Sequence, residues 1–288
     1  MSAPPHPAVP ARLAYLRELT APARTPRANL HLGLVLAFVA GAFNAGGFLA
    51  IGRYTSHMTG VVSEVADDMV LGRWPLVAAG LLALLAFIAG AASTAILVNY
   101  ARRNPRGAAG PYAVPLLIEA ALLLAFSLVG GRLQGHELVS VSLTAILLSY
   151  AMGLQNALIT KISNAEIRTT HVTGLVTDIG IELGKLLYWN AEATVPPGGA
   201  APARVEANRR KLRVHLALVG AFFIGGVAGA MGFKWAGFVA ALPLAAVLVV
   251  IAAAPWCGAG PAGCQTGEPP SPDRQEPSGP SGAPNSSR

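Results

Sequence analysis

Apolar positions along the chain gather into long runs separated by short polar gaps. Six runs stand out: Leu30–Ile51, Pro75–Ala101, Ala113–Gly130, Leu138–Leu158, Leu212–Phe233 and Ala236–Pro255. A helix needs about 20 mostly apolar residues to cross a bilayer. The runs meet that length or come close, the third being short and the second long enough to tilt or extend past the lipid. The pattern predicts an all-α integral membrane protein of about six transmembrane helices.

Composition strengthens that expectation. Of the 288 residues, 53% are hydrophobic and 12% charged. Soluble domains carry roughly 25% charged residues, because a water-facing surface needs them. This chain has too few charges to cover a globule of its size, whereas a lipid-facing surface needs none. The net charge is +7, but the basic residues fall in the gaps between apolar runs, so membrane topology explains them better than nucleic acid does. With the N-terminus inside, all of the 21 Lys and Arg except Arg53, Arg73, Arg132 and Lys234 lie on cytoplasmic segments. This positive-inside bias, with six spans, predicts cytoplasmic N- and C-termini.

The flanks differ from the runs. Residues 1–29 are rich in Ala, Pro and Arg and lack an apolar core followed by a small-residue cleavage site. They are expected to be a cytoplasmic tail and not a cleaved signal peptide. Thr194–Ala203 lies in a cytoplasmic linker spanning about 190–211, and its Pro and Gly residues predict flexibility. Residues 256–288, rich in Pro, Gly and Ser, are expected to be a disordered tail. Cys257 and Cys264 fall there, without the spacing or nearby histidine of a zinc site.

The halves resemble one another. Thr55-Ser56-His57-Met58-Thr59-Gly60-Val61-Val62-Ser63-Glu64 matches Thr169-Thr170-His171-Val172-Thr173-Gly174-Leu175-Val176-Thr177-Asp178. Upstream, Gly41-Ala42-Phe43-Asn44-Ala45 matches Gly153-Leu154-Gln155-Asn156-Ala157; downstream, Phe87–Gly90 matches Phe223–Gly226. The units are 30–135 and 136–255, three spans each. An odd number of crossings makes the second unit enter from the opposite side, giving inverted-topology repeats of the kind found in secondary transporters. A duplicated scaffold without transport is the plainer alternative.

The repeated segment has the residues of a helix start. Threonine can cap exposed N–H groups, glycine allows close backbone approach, and early acids suit the helix dipole. A short helix is expected over 61–72 and a longer one over 175–189. Their N-termini, entering from opposite faces, could bind a small anionic solute through Thr59, Gly60, Thr173 and Gly174. Asn44, Gln155 and Asn156 would line the site or glue helices together. Histidine gains and loses a proton near neutral pH. His57 and His171 with Glu64, Asp178, Glu182 and the intramembrane Glu119 are therefore candidate proton carriers, with Glu119 alternatively pairing with Arg102, Arg103 or Arg106. Asp67 and Asp68 are taken as ordinary solvated groups. Interfacial helices lying flat on each surface are the alternative geometry. Ala86, Gly90, Ala91, Ala92 and Ser93, and Gly225, Gly226 and Gly229, make small-residue faces for helix packing.

The chain lacks HExxH, GxSxG and P-loop strings. No catalytic residue, metal ligand or cofactor is assigned. The expected partners are the lipid bilayer and a small solute or ion, not nucleic acid, with a homo-oligomer left open. A secondary transporter leads, followed by a membrane scaffold or sensor and then an intramembrane enzyme.

Thr55–Gly60, Ala151–Ala157 and Arg168–Gly174 together resemble the YoaK-like family of bacterial multi-pass membrane proteins, over about residues 30–255. The resemblance implies a multi-pass fold and no particular substrate, since the family has no established biochemical function. Asn44 stands where that family usually has Asp, Val61 where Asn is common, and His171 where Tyr is frequent. A neutral Asn44 cannot carry a proton.

Overall fold

In a computed structural model the described residues are 11–21, 24–52, 54–104, 110–132, 137–162, 171–188 and 204–256, and those in regular structure are helical. The helices are α1 (Ala11–Thr20), α2 (Pro26–Ile51), α3 (Met58–Val70), α4 (Trp74–Arg103), α5 (Ala113–Arg132), α6 (Glu137–Ile162), α7 (Val172–Leu187), α8 (Arg209–Ala236) and α9 (Ala241–Ala253). A 3-10 turn, Gly237–Ala240, joins the last two. Four stretches are long and apolar enough to cross a membrane: Pro26–Leu49, Trp74–Arg103, Leu143–Ile162 and Arg209–Ala253. Ala113–Leu128 is a shorter apolar helix. The chain is thus a helical protein of membrane type.

Local chemistry sets the helix boundaries. Thr25 Oγ1 accepts the Ala28 N–H at 3.2 Å with Pro26 in the first turn, so α2 begins four residues before its apolar run. Asn208 Oδ1 accepts the Lys211 N–H at 2.9 Å and starts α8 ahead of Leu212. Gly237, at φ 58°, breaks the 45-residue apolar stretch Arg209–Ala253 into α8 and α9.

Cross-helix contacts give the directions. Gly225 meets the Phe38 carbonyl and Gly229 the Ala42 carbonyl, so α8 runs parallel to α2. Gly90 meets the Tyr150 carbonyl, and Thr94 Oγ1 donates to the Leu154 carbonyl at 3.0 Å, so α4 runs parallel to α6. Gln155 Nε2 donates to the Leu36 carbonyl at 3.2 Å while Leu148 packs on Gly47, so α6 is antiparallel to α2. Arg24 lies over Tyr112 at one end of the bundle, and Phe43 meets Phe126 with centroids 6.1 Å apart at the other, so α5 is parallel to α2. At that second end, Phe233 and Phe238 join Phe126. α9 then returns alongside α5 to the first end. There α1 packs on α2 and α9, and Arg17 Nε donates to the Ala254 carbonyl at 3.3 Å.

The small-residue faces are the tightest crossings. A Cβ on Gly41 would strike the Phe222 carbonyl, and one on Gly153 the Phe87 carbonyl. Phe87 thus corresponds in space to Phe222 and Gly90 to Gly225. The sequence match of Phe87–Gly90 to Phe223–Gly226 is one residue out of register with these contacts, because the Phe222-Phe223-Ile224-Gly225-Gly226 string places a Phe three residues before a Gly in both frames. The outer surface is apolar: α4 turns Leu81, Leu82, Leu85, Ile88 and Ile96 outward, and α8 turns out Phe223, Ile224, Val227 and Met231. In water such a surface is a liability; in lipid it is the expected state. Thr169, Thr170, most of the 190–211 linker, the tail beyond Trp256 and both cysteines lie outside the described residues.

Candidate functional site at the paired helix starts

The two repeated segments build similar helix starts. His57 occupies the N-cap of α3 at φ −92° and ψ 71°, and His171 that of α7 at φ −82° and ψ 53°. The helices begin at Met58 and Val172, three residues earlier than threonine capping predicts. Thr59 and Thr173 sit at the second helical residue with helical backbone, so histidine holds the cap position. Neither cap side chain hydrogen-bonds the first-turn N–H groups. Each imidazole instead folds over the glycine three residues on. A Cβ on Gly60 would lie 2.6 Å from His57 Nδ1, and one on Gly174 would likewise strike His171 Nδ1. The pattern His-x-x-Gly therefore has a physical reading: with the ring in this position, glycine leaves room that a Cβ would take. His57, Thr59, His171 and Thr173 are exposed.

Each short helix folds back on the long helix after it. Val65 packs on Gly80, and Arg73 Nη2 lies 2.6 Å from Asp68 Oδ1, so α3 and α4 form an antiparallel hairpin turning at Gly72. In the second hairpin Asp178 reaches Lys211 Nζ at 3.3 Å and His215 Nδ1 at 3.7 Å, while Glu182 Oε2 accepts the Asn208 N–H at 2.7 Å. Counted back along these pairs, His57 comes level with the middle of α4, and His171 lies well inside the length of α8. Asp68 and Glu182 occupy equivalent places: both are buried, and both bind the residue that starts the next helix. Asp68 is thus a buried ion-paired group and not a solvated one. Lys185 Nζ, 2.9 Å from Glu182 Oε1, holds that carboxyl below its ordinary range, aided by the Asn208 N–H.

α3 and α7 each show three faces. One packs on the following helix, through Val61, Val65 and Asp68 in α3 and Leu175, Ile179 and Glu182 in α7. A second is apolar and exposed, with Val62, Met69 and Val70, or Val176, Leu183 and Leu187. The third is polar and leads to the helix start, with Gly60, Glu64 and Asp67, or Gly174, Asp178 and Lys185.

Asn44 Oδ1 accepts the Ser56 hydroxyl at 2.9 Å and the Ser56 N–H at 3.4 Å. Asn44 lies about two turns before the end of α2. The loop after Gly52 therefore turns back alongside α2 and delivers His57 below that helix's end. In the second unit Asn156 Nδ2 donates to the Met152 carbonyl at 2.9 Å. Gln155 is fully buried, its Nε2 bound to Leu36 and its Oε1 without a hydrogen-bond partner. Glu119 is fully buried in α5, with neither carboxyl oxygen hydrogen-bonded. It pairs with neither Arg102 nor Arg103, and Arg106 lies outside the described residues; Arg102 Nη2 donates instead to the Tyr112 hydroxyl at 2.6 Å.

The candidate residues form separate groups. Asn44, Ser56, His57, Thr59 and Gly60 belong to one helix start, and His171, Thr173 and Gly174 to the other. Asp178 is engaged with Lys211 and His215, Glu64 is exposed on α3, and Glu119 lies in the core. Sequence reasoning passed over Ser56 and the Asp68–Arg73 pair; the recurrence of an acid at Asp68 and Glu182 was the available signal.

No curated protein and no solved structure matches the chain. A family profile described as a protein of unknown function, DUF1275, matches residues 32–254, which takes in both helix starts and all of the long helices except the first turns of α2. The chain belongs to this family, the YoaK-like family.

Proposed function

We propose that the protein is a secondary transporter of a small solute, with an anionic group suited to the helix starts. In this reading α2, α4, α5, α6, α8 and α9 make six crossings of the bacterial inner membrane. They form two inverted three-helix units with both termini cytoplasmic. The observation that carries the reading is the pair of matching half-length hairpins, whose histidine-capped starts lie level with the interior of α4 and α8. Such half-helices entering from opposite faces suit alternating access, because their free N–H groups and dipoles face a solute between them. Their polar strips supply a wet path from each surface. Support for inversion comes from the exchanged contacts: Gly41 with Phe222 against Gly153 with Phe87, and Gly225 with Phe38 against Gly90 with Tyr150.

Glu119 fits a proton-coupling role beside His57 and His171. Glu119 is seven residues before Phe126 and Leu36 seven before Phe43, and those two rings touch. The carboxyl is therefore level with Leu36, whose carbonyl Gln155 holds. A fully buried carboxyl without a hydrogen-bond partner inside a crossing is a group type that marks ion and proton pathways in membrane proteins.

The test is side-specific labelling of His57→Cys and His171→Cys in a background where Cys257 and Cys264 are replaced. Labelling from opposite faces is expected, and labelling of both from one face removes the inverted reading. A purified-protein stability screen against metabolites and ions then looks for a solute. Ligand at ten times its dissociation constant adds about 1.4 kcal/mol. That gain should vanish in Thr59→Val with Thr173→Val.

A further inference from the structure

The first end of the bundle carries a cluster of cationic groups outside the candidate transport site. Tyr112, nearly fully buried, sits where the chain enters α5. The Arg24 guanidinium lies over its ring, 4.2 Å from the centroid, and Arg102 lies 5.8 Å from the same centroid while donating to the hydroxyl. Arg24 Nη1 donates to the Leu19 carbonyl at 2.9 Å, which fixes the side chain. Arg24 Nε is buried and has no hydrogen-bond partner. Gly110 closes the floor, where a Cβ would strike the Thr20 carbonyl.

Neither arginine has an acidic partner among the described residues. Glu18, the acid nearest in sequence to Arg24, accepts the Thr25 hydroxyl at 2.7 Å instead. Glu119 lies about two turns deeper along α5 than Tyr112. Two guanidiniums on one tyrosine repel each other, and burial already disfavours the charged form of Arg24, its largest perturbation. Folding two cations together without an anion is unfavourable unless something else supplies the negative charge. Planar guanidiniums with unused N–H donors match the oxygens of a phosphate group.

The position narrows the source. Arg24 precedes the first apolar helix, Arg102 lies in the last turn of α4, and Tyr112 precedes the apolar start of α5. All three stand at the ends of apolar runs, where headgroups lie and where tyrosine and arginine are favoured. We propose that Arg24, Arg102 and Tyr112 form a phosphate-binding site at the headgroup level of the bundle, filled by an anionic phospholipid. Its occupant would tie the α1–α2 junction to the α4–α5 turn.

The experiment measures thermal unfolding of the full chain in neutral detergent while adding phosphatidylglycerol, phosphatidylcholine or inorganic phosphate. Wild type should gain stability with phosphatidylglycerol and not with phosphatidylcholine. Because Arg102 is exposed, Arg102→Gln should fold, and it should raise the half-saturating phosphatidylglycerol concentration about ten-fold, the loss of one charge-assisted hydrogen bond. Arg24→Gln with Arg102→Gln should abolish the gain, and Arg102→Lys should keep part of it. A gain with inorganic phosphate that the same variants remove would keep the site and assign it to a soluble anion. No gain with either, or an equal gain in wild type and Arg102→Gln, overturns the proposal.

Discussion

The α3–α4 and α7–α8 hairpins share one design with different fastenings. Both start on a histidine folded over a glycine, and both use a buried acid to hold the start of the next helix. The first closes tightly, with Asp68 and Arg73 on either side of a turn at Gly72. The second spans the long segment between Leu187 and Arg209, and needs more contacts: Glu182 with Lys185 and the Asn208 N–H, and Asp178 with Lys211 and His215. A long loop leaves its ends less constrained than a three-residue turn does, so more side-chain bonds fall to the helices. Geometry at the helix start is kept while the means of holding it has changed.

The largest expected effect separates the bundle from the hairpins. Gly153→Leu and Gly41→Leu each place a Cβ against a backbone carbonyl that cannot swing away. Each should cost about 3 kcal/mol or more in detergent unfolding, or abolish folded yield. A clear inequality between them would show that the two glycine crossings do not carry equal weight. Next is Asn44→Ala, which removes both bonds to Ser56 and should cost about 1–2 kcal/mol. Its loss should also raise proteolysis or labelling in residues 52–57.

Smaller again are the fastenings. Asp68→Ala should cost about 0.5–1 kcal/mol, because Arg73 remains half exposed and can find water. Glu182→Gln tests pH. The Glu182 carboxyl is held low in the folded state, so its contribution is present above the ordinary carboxylate value and fades as pH falls through the lowered one. The wild-type protein should therefore lose more melting temperature than Glu182→Gln on going from neutral pH to below the ordinary value of 4.5. Equal slopes would assign the hairpin to Asp178 and Lys211 alone. Smallest is Gly184→Ala on α7, where a Cβ meets nothing within 4 Å. It should be neutral or stabilise by up to about 1 kcal/mol.

Much of the fold was legible because lipid imposes a simple rule on sequence. The long helices follow from apolar runs, and their ends move by only a few residues once Thr25 and Asn208 act as caps. The helix starts were legible as a repeated string, but the cap was assigned to threonine and not to histidine. Capping propensity favours threonine, and only the backbone angles at His57 and His171 reveal which residue stands outside the helix. The register of Phe222 and Phe223 was ambiguous in the string and is decided by which carbonyl Gly41 meets. Asp67 and Asp68 looked alike in the sequence, yet Asp67 is exposed and Asp68 buried; burial depends on which face of α3 meets α4.

By itself the sequence determined the membrane class, the approximate helices, the recurrence of His-x-Thr-Gly and the small-residue faces. Each is a property of residues near one another in the chain, where periodicity and composition act directly. Tertiary structure alone decided that α2 pairs with α8 and α4 with α6. It also decided that the loop after Gly52 turns back to Asn44, and that Arg24 and Arg102 meet on Tyr112. Those contacts join residues far apart in sequence, and their energies depend on close approach across helices, which no local pattern records.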